Sequence, residues 1–345
     1  MKIADFEIGL GRTYIIAEIS ANHNQSYERA EQIVREAAKA GVDAIKLQTY
    51  TADTITIDSD RDYFKVGQGT LWAGRTLYDL YQEAYTPWDW QPKLKKLAES
   101  LGLHCFSSPF DPTSVDFLEQ MDVAAYKIAS PELVDLPLIQ KVCATGKPVI
   151  MSTGMATLAE IEAAVDCARE AGCKELALLK CTSAYPAPAE EMNLATIPHL
   201  KQAFGLPVGL SDHTLGTSAS VMAVTLGATI LEKHFTLSRE DGGPDAAFSL
   251  ESHEMKEMVD AVRFAEKALG KVSYVVTEKE KLNRPFRRSL FAIRDIQEGD
   301  IFDETNVRSI RPAQGIAPKY TGDVMGKKAR ISITKGTPLS WDLMA

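Results

Sequence analysis

At 345 residues, 45% hydrophobic and 25% charged, the chain has ordinary globular composition and enough length for one large domain and a small one. The formal charge of −9, from 38 Lys+Arg against 47 Asp+Glu, argues against nonspecific nucleic-acid binding but leaves room for a locally basic site that takes an anion. Apolar runs fall short of a membrane span, no secretory leader pattern opens the chain, and five widely spaced cysteines form neither a disulfide framework nor a zinc pattern, so the expected address is a reducing cytoplasm.

Taken in chain order, short β-rich runs alternate with helical periodicity. Strands are expected at Tyr14–Ser20, Asp43–Gln48, Leu103–Ser107, Ala125–Ala129, Pro148–Ser152, Glu175–Cys181, Val208–Ser211 and Ile230–Phe235. Between them the spacing predicts helices such as Tyr27–Ala40, Trp90–Ser100, Leu158–Ala171 and Ser218–Leu226, with Glu254–Leu269 after the last strand. This α/β alternation fits a (β/α)8 barrel, with an open doubly wound sheet as the rival arrangement. The long connection before the third strand holds the aromatic-rich segment TLWAGRTLYDLYQEAYTPWDW (70–90), expected to cover one mouth of the barrel. After a linker at 276–286 the texture changes to short strands broken by turns. That gives a first domain over 1–275 and a small, mostly β module over 287–345, near the lower size limit for folding alone.

Each expected strand finishes in reactive side chains: Glu18 and Ser20, Lys46 and Gln48, Ser107 and Ser108, Lys127 and Ser130, Ser152 and Thr153, Lys180 and Thr182, Ser211 to His213, Glu232 to His234. Barrel enzymes build their sites at the C-terminal ends of the strands, so these residues should converge on one pocket. His213 and His234 close adjacent strands, where neutral imidazoles can share a divalent metal; either taken alone reads rather as a hydrogen-bonded core histidine. Lys46 and Lys127 sit in apolar strand contexts and need anions to be buried. A phosphate and carboxylate from a substrate, or a structural carboxylate such as Glu18 or Glu132, would satisfy that need, and a Schiff base with a carbonyl substrate is a rival use of either lysine.

These stretches carry a resemblance. Through IIAEISANHN (15–24), AIKLQTY (44–50), CFSSPFD (105–111), YKIASPE (126–132), STGMA (152–156), KCTSAYP (180–186), GLSDHTLG (209–216), EKHFTL (232–237) and GPDAAFSL (243–250), the chain resembles the sialic acid synthase family along nearly its full length. RRSLFAIRDIQEGD (287–300) and SIRPAQGI (309–316) resemble that family's antifreeze-like (SAF) domain.

The resemblance implies a TIM barrel followed by that SAF domain, and an enzyme that condenses phosphoenolpyruvate with an amino-sugar aldehyde and releases phosphate. It implies that His213 and His234 bind Mn2+ or Mg2+. It implies that Lys46, Ser108, Lys127, Ser130, Ser183 and Ser211 hold phosphoenolpyruvate, that Glu18, Gln48, Tyr185 and Asp245 surround the sugar, and that Glu132 lies near the reacting carbons. Glu18 and Glu132 are both candidates for proton handling. Arg311 resembles the arginine that reaches the sugar in the partner subunit's barrel of a homodimer. Ser183 stands where a sialic acid synthase typically carries Asn. Together with the insert at 70–90, it implies a 2,4-diacetamido-2,4,6-trideoxy hexose of altrose configuration, with sialic or legionaminic acid synthesis from another amino sugar as the alternative.

Overall fold

Eight strands, β1 (Tyr14–Glu18), β2 (Ala44–Thr49), β3 (His104–Pro109), β4 (Tyr126–Ile128), β5 (Val149–Ser152), β6 (Leu176–Cys181), β7 (Val208–Asp212) and β8 (Ile230–His234), pair in parallel and close with β8 against β1 in the computed structural model, which describes residues 1–345. Barrel closure removes the open-sheet alternative. It leaves no strand edge unpaired, and the runs AIKLQT, LALLKC and ILEKH are buried almost throughout, as a parallel barrel inside a ring of helices requires. The helices turn apolar stripes inward: Ile33, Val34 and Ala37 of Tyr27–Ala40 and Met258, Val259 and Val262 of Ser252–Leu269 belong to one core with the strands. Observed strands begin and end within two residues of the expected ones. A hairpin absent from the sequence reading, Lys2–Ile3 with Phe6–Glu7, precedes β1 and sends Ile3 into the same core.

The chain divides into two compact units, Met1–Gly270 and Lys271–Ala345. In the second, β9 (Ser289–Ala292) pairs antiparallel with β10 (Val307–Ile310), and further single bridges tie the remaining turns together. This unit has an apolar centre of its own, with Leu290, Phe302, Val324 and Leu339 fully enclosed.

Candidate active site

Strand register brings the site together. Glu18 lies opposite Lys46 on one side and His234 on the other, Gln48 lies opposite Ser108, and Glu232 lies opposite Ser211. All are at C-terminal strand ends, where period-two alternation sends Glu232 and His234 inward and Lys233 outward. Lys233 is held 2.9 Å from Asp212 on the outer side, and Asp212 also accepts from Thr214 and Ser220, which fixes the turn that presents His213.

Two lysines and two carboxylates form the floor. Lys46 pairs with Glu18, donates to Ser108 Oγ at 3.1 Å and lies 3.8 Å from Glu232. Lys127 donates to Glu232 Oε1 at 3.2 Å, an atom that also accepts from Ser211 at 3.0 Å. Glu232 therefore sits between both cations. Burial pushes its carboxyl up, but Lys127 and Lys46 outweigh that and hold it below the ordinary range. The sequence reading named Glu18 or Glu132 as lysine partners. Glu18 is one; the second is Glu232, which had been noted only as a strand-end residue. Glu132, on the turn Pro131–Val134, instead has a buried Oε2 with no hydrogen-bond partner. Burial raises its carboxyl to about 7 against the pull of Lys127 and Lys46.

The hydroxyl cradle beside Lys127 depends on Gly154. Its backbone N–H donates to Ser130 Oγ at 3.1 Å, and a Cβ added there would stand 2.3 Å from Ser183 Oγ and 2.7 Å from Ser130 Oγ. These two serines thus converge on one backbone point that only glycine leaves open. Gly154 lies in the STGMA stretch, where no local pattern marks it. Cys181 places its Sγ 3.8 Å from Ser183 Oγ and 3.9 Å from His213 Nδ1.

His213 and His234 face each other with ring centroids 5.4 Å apart. His213 Nδ1 lies 2.9 Å from the Thr182 carbonyl, which can only accept, so Nδ1 carries a proton and Nε2 is the nitrogen left to face the site. His234 Nδ1 is engaged by Ser20 Oγ at 3.2 Å. Burial, together with the charges of His213, Lys46 and Lys127, holds His234 well below the ordinary imidazole range, so it stays neutral. Burial pushes the His213 imidazole down, but Cys181, the Thr182 carbonyl and Glu232 hold it above the ordinary range, so a divalent cation bound through the two Nε2 atoms would have to displace a proton from His213. No group of three or more His, Cys, Asp or Glu side chains suited to a metal forms.

Above the histidines, the Tyr185 ring lies 4.4 Å from His213, 4.9 Å from Phe248 and 5.6 Å from Trp72. Asp245 accepts from the Ala21 N–H at 3.3 Å, beside Ser20. Of the aromatic segment, Trp72 joins this wall, anchored by its Nε1–H to the Pro244 carbonyl at 2.8 Å. Trp88 packs on Phe117 and Tyr78 bonds Asp53, which fastens the segment to the barrel. Gln48 is half-buried at the rim, its side chain free of bonds to the protein. His23 bonds Thr86 and packs against Trp90, and His104 bonds Tyr14 and Asp5; both are structural. Arg311 belongs to the second unit and is exposed just beyond β10.

A closed parallel barrel with lysines, carboxylates, serines and paired histidines gathered at its C-terminal mouth defines a TIM-barrel enzyme. The chain belongs to the NeuB family, which it matches over residues 33–274, and carries a SAF domain at residues 287–344. It is 46% identical over 339 residues to pseudaminic acid synthase of Campylobacter jejuni, covering 98% of each chain. To pseudaminic acid synthase of Helicobacter pylori it is 43% identical over 329 residues, covering 95% of this chain and 96% of the relative. Among solved structures, the spore coat polysaccharide biosynthesis protein SpsE of Bacillus subtilis superposes with a TM-score of 0.69 at 32% identity, covering 100% of this chain and 99% of that one.

Proposed function

We propose that this chain acts as a pseudaminic acid synthase, condensing phosphoenolpyruvate with 2,4-diacetamido-2,4,6-trideoxy-L-altrose and releasing phosphate by C–O cleavage. The observation that carries the reading is the convergence of Lys46, Lys127, Ser108, Ser130, Ser183 and Ser211 on one barrel mouth beside two imidazoles whose Nδ1 atoms are engaged. Likeness over nearly the whole chain to the Campylobacter and Helicobacter synthases supports the choice of sugar.

In this reading the lysines and hydroxyls receive the phosphate and carboxylate of phosphoenolpyruvate. Glu232 and Glu18 serve as resident counter-ions that keep both cations poised before the substrate arrives. His213 and His234 hold Mn2+ or Mg2+, which supplies Lewis-acid polarisation of the sugar's aldehyde oxygen. Tyr185, Trp72 and Phe248 offer the apolar 6-deoxy sugar a matching wall, and Asp245 and Gln48 offer its polar groups partners. C3 of phosphoenolpyruvate attacks the aldehyde carbon, water adds at C2, and the tetrahedral adduct expels phosphate. Glu18 is committed to Lys46 and to the Ser20 N–H, so Glu132, raised to about 7 and with a free oxygen, takes the proton-transfer role. As in the resemblance, the enzyme works in the cytoplasm as a homodimer in which Arg311 of one chain serves the barrel of the other.

Bridging oxygen-18 in phosphoenolpyruvate tests the chemistry. The label is expected in the released phosphate, with a nonulosonic acid formed and no adduct trapped by borohydride at Lys46 or Lys127. Label retained in the sugar acid, or a reduced lysine adduct, overturns the reading.

A further inference from the structure

The segment GQGTLWAG (67–74) leaves the barrel on a closed neck. Lys65 bridges Thr76 in antiparallel fashion, the Val66 N–H donates to the Arg75 carbonyl at 2.8 Å, and the Gly74 N–H donates to the Val66 carbonyl at 3.1 Å. Arg75 fastens this neck to the helix Leu77–Ala84, through the Asp79 carbonyl at 3.1 Å and Glu83 at 2.7 Å. Gly69 and Gly74 turn the chain through positive φ, and a Cβ at either would meet nothing within 4 Å. A short loop with joined ends is the shape of an Ω-loop.

Beyond the neck, Trp72 is what ties the loop down. Every other residue from 67 to 74 is exposed, Leu71 included, and their hydrogen bonds close within the loop and its neck. Trp72 alone is half-buried. Its Nε1–H donates to the Pro244 carbonyl at 2.8 Å, and its ring lies 5.6 Å from Tyr185 and 6.4 Å from Phe248. The turn it lands on is held independently. Asn24 Nδ2 donates to the Asp241 and Gly242 carbonyls at 3.3 and 3.2 Å, and Ser249 Oγ donates to the Asp245 carbonyl at 2.6 Å.

We propose that residues 67–74 are a lid over the aromatic wall of the site, latched by the Trp72 indole N–H on the Pro244 carbonyl and swinging about its neck to admit the sugar. An exposed loop held by one hydrogen bond and one ring belongs to the parts of a protein that open locally. Loops of that kind gate substrate entry and product release. The latch also closes beside Asp245, the next residue after Pro244, so the lid shuts on the turn that carries it. That the admitted molecule is the trideoxy sugar rests on the function proposed above; the latch stands on the contacts of Trp72.

Hydrogen–deuterium exchange of the full-length protein, read by mass spectrometry, tests this. Trp72→Phe keeps a ring and removes the N–H; Trp72→Ala removes both. Without substrate, peptides covering 66–75 should exchange roughly 2- to 10-fold faster in Trp72→Phe, the shift that one net hydrogen bond supplies, and faster still in Trp72→Ala. Exchange in the barrel strands and the unfolding temperature should stay at wild-type values, which loss of a residue that merely packs the fold would change. In the wild type, 2,4-diacetamido-2,4,6-trideoxy-L-altrose added with inorganic phosphate, a mixture that cannot react, should slow exchange at both 66–75 and 243–250. Wild-type exchange at 66–75 in folded Trp72→Phe and Trp72→Ala overturns the proposal. Slowing at 243–250 with none at 66–75 overturns it too, because the sugar then binds without the lid. If the variants loosen 66–75 as expected while the sugar slows neither segment, the latch stands and the choice of sugar is what fails.

Discussion

Gly154→Ala isolates the hydroxyl cradle from the rest of the site. Gly154 does not have a positive φ, so alanine meets no backbone penalty and the whole effect is steric. The added Cβ would stand 2.3 Å from Ser183 Oγ, 2.7 Å from Ser130 Oγ and 3.1 Å from Cys181 Sγ. Ordinary contact between heavy atoms lies at about 3.5 Å, so the Ser183 hydroxyl must retreat by roughly 1 Å. Misplacement on that scale costs on the order of 100-fold in rate when the displaced group positions a reactant. Inserting a methyl into a packed interior costs about 1–3 kcal/mol of stability, and hydroxyls that can rotate away keep this substitution near the lower end. In steady-state phosphate-release assays, kcat/KM for phosphoenolpyruvate should fall about 100-fold, mostly through KM, with KM for the sugar little changed. Thermal unfolding should remain cooperative and drop by only a few degrees. Wild-type phosphoenolpyruvate kinetics in folded Gly154→Ala would refute the assignment of Ser130 and Ser183 to this substrate.

Glu132, raised from 4.5 to about 7, binds its proton more tightly folded than unfolded. Between those values the native state holds the extra proton, so stability falls as pH rises through the window, by roughly 3 kcal/mol in all. Glu132→Gln should abolish that slope in denaturant titrations, raise stability above pH 7, and remove the ionisation near 7 from the pH profile of kcat/KM. Trp72→Ala should raise KM for the sugar, whereas Trp88→Ala, which unpacks the segment from Phe117, should lower the unfolding temperature first; the reverse pattern would place the sugar wall elsewhere. Mixing His213→Ala with Arg311→Ala, each nearly inactive alone, should restore activity after subunit exchange if Arg311 acts in trans, and persistent inactivity with heterodimers formed would rule that out.

The barrel was legible because each strand is a short buried run ending in polar side chains, and its edges were placed within two residues. The helix Leu77–Ala84 was hidden inside a segment whose aromatic residues read as a covering loop, and Trp72 of that segment reaches the site wall. The lysines were legible as cations needing anions and Glu18 as one of their partners, but not Glu232, since Lys127 meets Glu232 across 105 residues of sequence and only barrel register creates the pair. Glu132 and Glu18 looked equivalent on paper. Burial raises both carboxyls, and what separates them is that Glu18 is paired with Lys46 while a Glu132 oxygen has no hydrogen-bond partner. Gly154 carried no local signal, because it matters for the space it leaves.

The central claim is that this mouth joins phosphoenolpyruvate to a doubly acetamidated 6-deoxy sugar with the help of a divalent cation. A phosphate-release screen tests it most directly. Purified protein is given phosphoenolpyruvate with either the 2,4-diacetamido-2,4,6-trideoxy-L-altrose or N-acetylmannosamine, with and without EDTA. The account predicts rapid phosphate release with the trideoxy sugar, little with N-acetylmannosamine, none after EDTA, and recovery on adding Mn2+ or Mg2+. Efficient turnover of N-acetylmannosamine with none of the trideoxy sugar, or full activity in EDTA, would contradict it.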